Sequence, residues 1–129
     1  MPRSRAIEAT LALMLAACGG AAEGAFAPVE AVIAAARDDD ASGLSELCDP
    51  EGRADSDARR LCAEDPARAR EWALFRAWFK EARILGLVAD RGGQSEAEEM
   101  RIAVAIGPDR RHVEVTVVRR GQRWYLLRL

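Results

Sequence analysis

The spacing of apolar residues changes once along the chain, from a helical period to a strand period near residue 84. Residues 28–37 are predicted to form an amphipathic helix, because Pro28 suits a first helical turn and the apolar residues recur at helical spacing: Val29, Val32, Ile33 and Ala36. The acidic run at 38–40 is expected to end this helix. A second, short helix is predicted to follow, with Leu44, Leu47 and Cys48 on one side.

The longest predicted helix carries most of the aromatic side chains. It opens at Asp65-Pro66, where the aspartate caps the helix and the proline takes the first turn, and it runs to about Arg83. Its aromatic side chains recur at helical spacing and form a stripe. A stripe of this kind is typical of a core-facing helix, although apolar ligand pockets are lined by the same residue types. The stripe is therefore either core or ligand-facing, and it consists of Trp72, Phe75, Phe79 and Ala82, with Leu74 and Trp78 beside it.

From residue 84 onward, alternating apolar residues predict strands. The predicted strands are 84–89, 101–106, 112–118 and 123–129, separated by a loop at 90–95 and by turns at Gly107-Pro108-Asp109 and Arg120-Gly121. The predicted fold is therefore α+β, with N-terminal helices packed on a curved antiparallel sheet of three or four strands. We expect the aromatic helix and the sheet to cover each other, because each has one apolar face. The sheet residues expected in that contact are Ile102, Val104, Val113 and Val115.

The first 17 residues have the form of an export signal. Arg3 and Arg5 make a basic start, and residues 6–17 form an apolar run that is interrupted only by Glu8. A membrane-spanning helix needs about 20 apolar residues, so a permanent transmembrane anchor is not expected here. We expect residues 1–17 to be removed after export.

The end of this run resembles the lipobox of bacterial lipoproteins, in Leu15-Ala16-Ala17-Cys18. The resemblance implies that Cys18 becomes the acylated first residue of the mature protein and binds membrane lipid. Gly19 follows, where enterobacterial lipoproteins retained in the inner membrane have aspartate, so the outer membrane facing the periplasm is the expected location. Residues 18–25 are rich in Gly and Ala and are predicted to be a flexible tether, which leaves residues 26–129 as one domain.

Two cysteines remain in the domain, Cys48 and Cys62, and an oxidising compartment favours a disulfide between them. The disulfide would close a loop from Asp49 to Leu61, a charged segment that offers little core of its own. A catalytic thiolate needs a base and a zinc site needs about four ligands, whereas the chain has one histidine, so neither role is favoured. The adjacent acidic residues 38–40 lack the alternating ligand spacing of a calcium loop, so we expect helix capping there. The sequence thus predicts neither a metal site nor a cofactor.

The charge distribution gives no reason to expect nucleic-acid binding. The chain has 19 basic and 21 acidic side chains, a net charge of −2. Basic residues outnumber acidic ones in the last strands, where they are expected to solvate turns and strand edges.

The order of elements resembles the nuclear transport factor two-like, or cystatin-like, superfold, and more narrowly small lipoproteins of the lumazine-binding-like group. The residues that carry this resemblance are the opening helix with its acidic turn (Val29, Ile33, Asp40, Leu44, Leu47) and the closing hairpin (Gly121, Gln122, Trp124, Leu126). It implies a curved sheet wrapped around the long helix to form a cone. Members include isomerases, dehydratases and binding modules, so the fold does not define an activity.

Enzymes of this superfold place a base and a second polar group inside the cone. The corresponding residues here are His112, Glu114 and Tyr125. His112 and Glu114 alternate with the Val113-Val115-Val117 stripe, so both are expected to face solvent. No base, proton target and oxyanion partner converge in the pattern, so we predict no catalytic residues.

The sequence thus favours a membrane-anchored envelope lipoprotein that is a non-catalytic binding or interaction module of unknown ligand. As a binding module it would hold a small apolar molecule or lipid between the aromatic helix and the sheet. One alternative is a docking or scaffold protein of the outer membrane that binds an envelope protein. A small isomerase-like or dehydratase-like enzyme is less favoured. A cavity above about 300 Å³ beneath Trp72, Phe75 and Phe79 would favour a ligand, and a filled core would favour docking.

Overall fold

The computed structural model describes residues 24–63, 68–88 and 98–129. In these ranges three α-helices and a four-stranded antiparallel sheet form an α+β fold, as predicted. The helices are α1 (residues 24–38), α2 (Ser56–Cys62) and α3 (Arg68–Phe79), and a 3-10 helix at Leu44–Glu46 lies between α1 and α2. The strands are β1 (Arg83–Leu87), β2 (Glu99–Ile106), β3 (Arg111–Arg120) and β4 (Arg123–Arg128).

Helix α1 includes residues that the sequence pattern assigned to the tether. Ala25 is helical and fully buried, and Gly24 packs against the ring of Trp124, where an added Cβ would lie 3.1 Å from the indole Cδ1 atom. The folded part therefore includes residues 24 and 25, while the rest of the predicted tether lies outside the described residues. The helix ends at residue 38, as the acidic run predicted, and Asp39 takes a left-handed φ of 52°.

Helix α3 ends at Phe79, earlier than the predicted end near Arg83. The amide of Ala82 donates a hydrogen bond to the Phe79 carbonyl in a tight turn, and Arg83 already pairs with Ala105 in the sheet. Arg83, which the helical pattern assigned to the end of the helix, is therefore the first residue of β1. The predicted start at Asp65-Pro66 lies outside the described residues.

The strands follow chain order across the sheet, β1-β2-β3-β4, and all neighbours are antiparallel. Two bulges interrupt the register, one between Ile84 and Gly86 and one between Thr116 and Val117. Gly86 has a φ of 138°, which only glycine adopts without strain. Bulges bend a strand and increase its twist, so they favour a curved sheet.

The core lies between the helices and one face of the sheet. Helix α1 has a large share in it, in line with the prediction of N-terminal helices packed on the sheet, although only the aromatic helix was named as the partner of the apolar sheet face. The buried residues of α1 are Ala25, Val29, Val32, Ile33 and Ala36, those of α3 are Phe75 and Phe79, and the sheet adds Ile102, Val104, Ile106, Val115, Val117, Trp124 and Leu126.

Helix α2 lies between the two cysteines, in a charged segment for which no helix was predicted. The Asp55 side chain caps it by accepting a hydrogen bond from the Ala58 amide at 2.8 Å, and Ala58 and Leu61 are buried. The helix was missed because its apolar residues are few and small among many charges. The sulfur atoms of Cys48 and Cys62 lie 2.06 Å apart, at bonding distance for a disulfide, which joins the end of α2 to the segment beside β4.

A buried ion pair attaches the same segment to the hairpin of β3 and β4. The Asp49 side chain is fully buried, and its two oxygens accept hydrogen bonds from Arg120 Nε and Nη2 at 3.1 and 3.2 Å. The amides of Glu51 and Arg53 also donate to this carboxylate. The hydrogen bonds from Arg120, helped by the two amides, lower the pKa of Asp49 below its ordinary value despite burial.

We predict that Phe79→Ala lowers the free energy of unfolding by about 3 to 5 kcal/mol, because it removes a buried aromatic side chain from the core. His112→Ala is the control, and we expect a change within about 0.5 kcal/mol because this side chain is exposed. Urea unfolding followed by circular dichroism measures both. Equal stability of the two variants would contradict the core assignment of Phe79.

We predict that Asp49→Asn lowers the free energy of unfolding by about 2 kcal/mol at neutral pH, because it removes a charge-assisted contact to Arg120. Since the pKa of Asp49 is depressed in the folded state, its contribution is present above the ordinary carboxyl pKa and is lost as pH falls through the folded value. The difference between wild type and variant should therefore shrink in acid.

Unfolding curves measured from neutral pH down to strong acid test this dependence. Asp57→Asn is the matched control, because Asp57 is exposed and its contact with Arg60 at 3.7 Å lies on the surface. A constant difference between wild type and Asp49→Asn at every pH would show that the loss does not come from the charge.

Candidate functional site

An open groove of about 300 Å³ separates α3 from the core face of the sheet. Its helix wall consists of Leu74, Phe75, Trp78 and Phe79, and its apolar floor consists of Ile106, Val113, Val115 and Leu129. Ile106 ends β2, while Val113 and Val115 alternate along β3, so period-two strand geometry directs all three towards the helix. The groove is therefore built from regular elements and not from loops.

The helix wall contains two large apolar side chains that remain in contact with solvent. Leu74 is 57% exposed and Trp78 is 38% exposed, whereas Phe75 and Phe79 belong to the core. The rings of Phe75 and Trp78 meet edge to face, with 5.8 Å between their centroids, so Trp78 is held against a rigid neighbour. Exposed apolar surface beside a concavity is typical of binding sites.

Polar contacts with α1 hold α3 on the side away from the groove. The carboxylate of Asp39 accepts a hydrogen bond from the indole Nε1 of Trp72 at 2.9 Å and lies 3.5 Å from Arg76 Nε. Arg76 Nε also donates to the carbonyl oxygen of Ala36 at 2.9 Å. These contacts cover part of the last turn of α1, where carbonyl groups lack helical partners.

The far end of α3 is attached to the turn between β2 and β3. The amide of Gly107 donates a hydrogen bond of 2.9 Å to the carbonyl oxygen of Trp78. Helix α3 is thus held at this turn and along α1. Its side that carries Leu74 and Trp78 faces the sheet across a gap. The groove is the space that this arrangement leaves.

Charged residues surround the apolar surface of the groove. Arg60 of α2 lies 3.7 Å from Asp57 and 4.0 Å from Glu71, so the rim on this side is neutralised by surface ion pairs. Arg111, at the start of β3, also lines the groove and makes no ion pair within the part of the chain that the structure describes. The arrangement suits an apolar group flanked by polar or anionic atoms.

The aromatic residues singled out by the sequence fall into two positions. Phe75 and Phe79 are core residues whose side chains also line the groove, so each of them is both part of the core and part of the groove wall. Trp72 is partly buried, packs beside the core and points its indole nitrogen to Asp39, away from the groove lining.

The residues considered for catalysis do not converge with the groove. His112 and Glu114 are exposed on the opposite sheet face, where they pair with Ala105 and Ala103 of β2. Glu114 lies 3.5 Å from Arg101, and Tyr125 lies beneath the guanidinium of Arg123, 5.4 Å from its ring centroid. These contacts lie among the charged side chains on the outer face of the sheet, away from the groove.

The acidic run at 38–40 is engaged by protein groups. Asp39 binds Trp72 and Arg76, and Asp40 accepts hydrogen bonds from the amide and hydroxyl of Ser42. Those bonds lower the pKa of Asp40 and shape the turn before the 3-10 helix, so the residue does not cap that helix directly. Among the described residues no group of three or more possible metal ligands occurs.

Sequence reasoning did not identify the exposure of Leu74 and Trp78, which defines the groove. The available signal was their helical position, since both lie beside the stripe and not within it. The Asp49–Arg120 pair was also missed, because its members are 71 residues apart and nothing local relates them.

The predicted lipidation site, Cys18, lies outside the described residues. Within the ranges that are described, no helix combines the length and hydrophobicity that a bilayer crossing requires. Comparison of the chain with protein-family models, with curated proteins and with solved structures finds no match.

Proposed function

We propose that this protein is a lipid-anchored envelope lipoprotein whose domain is a non-catalytic module that binds a small apolar ligand. Cys18 is the anchor, and the groove between α3 and the sheet is the ligand site. The protein is proposed to act at the outer membrane, facing the periplasm. The groove lined by the exposed Leu74 and Trp78 is the observation that carries the binding proposal.

The anchoring proposal rests on the sequence. A basic start, an apolar run and Leu15-Ala16-Ala17-Cys18 occur in the order that lipoprotein precursors have. The pairing of Cys48 with Cys62 is consistent with export to an oxidising compartment, since disulfides persist there.

The ligand proposal rests on the shape and lining of the groove. Its volume of about 300 Å³ is at the lower end of the range for small-molecule sites, so the ligand is small or enters only in part. An apolar ligand would remove the surfaces of Leu74 and Trp78 from water, and burial of apolar area contributes about 25 cal/mol per Å².

The finer fold assignment is also part of this proposal. We assign the domain to the nuclear transport factor two-like superfold, in which the sheet curves around the long helix. The order of helices before an antiparallel meander and the two bulges support this assignment. The short α3 and the four described strands leave a groove at the surface in place of a deep cone.

We predict that Cys18→Ser abolishes acylation and leaves the precursor uncleaved, because lipoprotein signal peptidase acts on the lipid-modified cysteine. The measurement is the intact mass and membrane partitioning of the protein expressed in a bacterial host, together with the mass of its N-terminal peptide. Cys48→Ser is the control, since it should not affect processing. Normal cleavage of Cys18→Ser, with no acyl mass on the wild type, would contradict the anchoring proposal.

We predict that the full chain binds the neutral fluorescent probe N-phenylnaphthylamine in the groove, and that Leu74→Glu weakens this binding about tenfold or more. The physical reason is that a buried carboxylate is costly in an apolar site. Leu85→Glu is the matched control, because Leu85 is 50% exposed on β1 and does not line the groove.

Fluorescence titration compares the three proteins, and circular dichroism verifies that each is folded. Equal binding by Leu74→Glu and Leu85→Glu would place the probe elsewhere. Absence of binding by the wild type would remove the support for a ligand and would favour protein docking on this surface.

A further inference from the structure

A second concave surface, which we call the cationic cleft, lies at the turn between β2 and β3. Its volume is about 440 Å³, and it is lined by Arg37, Lys80, Glu81, Arg83, Gly107, Pro108 and Arg110. These residues come from the ends of α1 and α3, the start of β1 and the β2–β3 turn. The fold therefore brings four basic side chains together from four places in the chain.

The charges of the cleft are not balanced by the protein. Glu81 is the one acidic side chain in the lining, against four basic ones, and Asp109 of the same turn is not part of the lining. None of the four basic side chains makes an ion pair with a described residue. Elsewhere in the described part, five arginines have acidic partners, namely Arg60, Arg76, Arg101, Arg120 and Arg128, whereas Arg59, Arg111 and Arg123 have none there.

Hydrogen bonds fix the side chain of Arg37 and the backbone at Arg110. Arg37 Nε donates a hydrogen bond of 3.3 Å to the carbonyl oxygen of Lys80, which joins the ends of α1 and α3. Arg110 has a left-handed φ of 54°, and its amide donates to the carbonyl oxygen of Gly107. A left-handed arginine is uncommon, and such residues persist where surrounding structure determines them.

We propose that the cationic cleft binds an anionic ligand that carries a phosphate or pyrophosphate group. The lining has an excess of three positive charges, so an anion with several charges neutralises it better than one carboxylate. Arginine guanidinium groups donate paired hydrogen bonds that match phosphate oxygens, and three of the four basic residues are arginines. The proposal is independent of the apolar groove.

The test is calorimetric titration of the oxidised full-length chain carrying Cys18→Ser, so that no attached acyl group competes. Inorganic pyrophosphate is one probe, and water-soluble short-chain phosphatidic acid is the other, with short-chain phosphatidylcholine as the zwitterionic reference. Arg83→Gln and Arg110→Gln are the variants, because neither side chain makes a described hydrogen bond that supports the fold. Arg37 is left unchanged because it joins α1 to α3.

We expect each variant to weaken binding about tenfold, which corresponds to about 1.4 kcal/mol, because each removes one charge-assisted hydrogen bond to the anion. Arg59→Gln is the matched control, because Arg59 is an exposed arginine of α2 outside the cleft, and we expect unchanged affinity. Thermal unfolding verifies that each variant keeps its fold.

Binding of pyrophosphate that depends on Arg83 and Arg110 supports a free phosphorylated ligand. Binding of phosphatidic acid alone, with the same dependence, supports a lipid headgroup. If wild type binds neither probe, or if Arg59→Gln weakens binding as much as Arg83→Gln does, the proposal is wrong.

Discussion

The pairing of Asp49 with Arg120 is the contact that attaches the segment between the 3-10 helix and α2 to the sheet. It places a charge in the interior, and such a charge is tolerated only when its oxygens are fully occupied by donors. Arg120 and the amides of Glu51 and Arg53 provide those donors. The segment after the 3-10 helix is thereby attached to the β3–β4 hairpin, and it covers the outer edge of β4 that water would otherwise reach.

Three further sets of contacts hold the same segment. The amide of Asp49 and the carbonyl of Leu47 both bond to the main chain of Leu126, so the segment continues the hydrogen bonding of the sheet for one residue. Asp55 then caps α2 and also accepts a hydrogen bond from the Leu129 amide. The Cys48–Cys62 bond closes the same loop covalently. This segment has few apolar residues, so hydrogen bonds, an ion pair and a disulfide hold it in place, and apolar packing contributes little.

Apolar spacing predicted the elements that are long and periodic. The strands around Val104 and Val115 and the helix at 28–37 follow one clear period each, so local sequence was sufficient for them. The pattern did not reveal α2, because Ala58 and Leu61 form too small an apolar face. It also did not give the correct end of α3, because helical and strand patterns overlap at Arg83. Those outcomes are decided by partners distant in sequence.

The candidate site could likewise be predicted from the sequence only in part. The sequence identified Phe75 and Phe79 as apolar residues in a helical stripe, but the position of Leu74 and Trp78 beside that stripe was not read as a sign that they would remain exposed. Asp39 and Ala36, at the end of α1, bind Trp72 and Arg76 and hold α3 on the side away from the groove. Helix orientation set by such long-range polar contacts cannot be derived from the period of one helix.

Helix α1 has a further consequence for the orientation of the molecule. Gly24 lies against Trp124 at one end of the sheet, and the other end of α1 meets Lys80 beside the opposite end of the sheet. With 15 described residues at 1.5 Å each, α1 separates these two ends by about 22 Å. Under the proposed anchoring through Cys18, the anchor is attached at the end of the domain that carries the β3–β4 hairpin, opposite to the basic residues around Arg110.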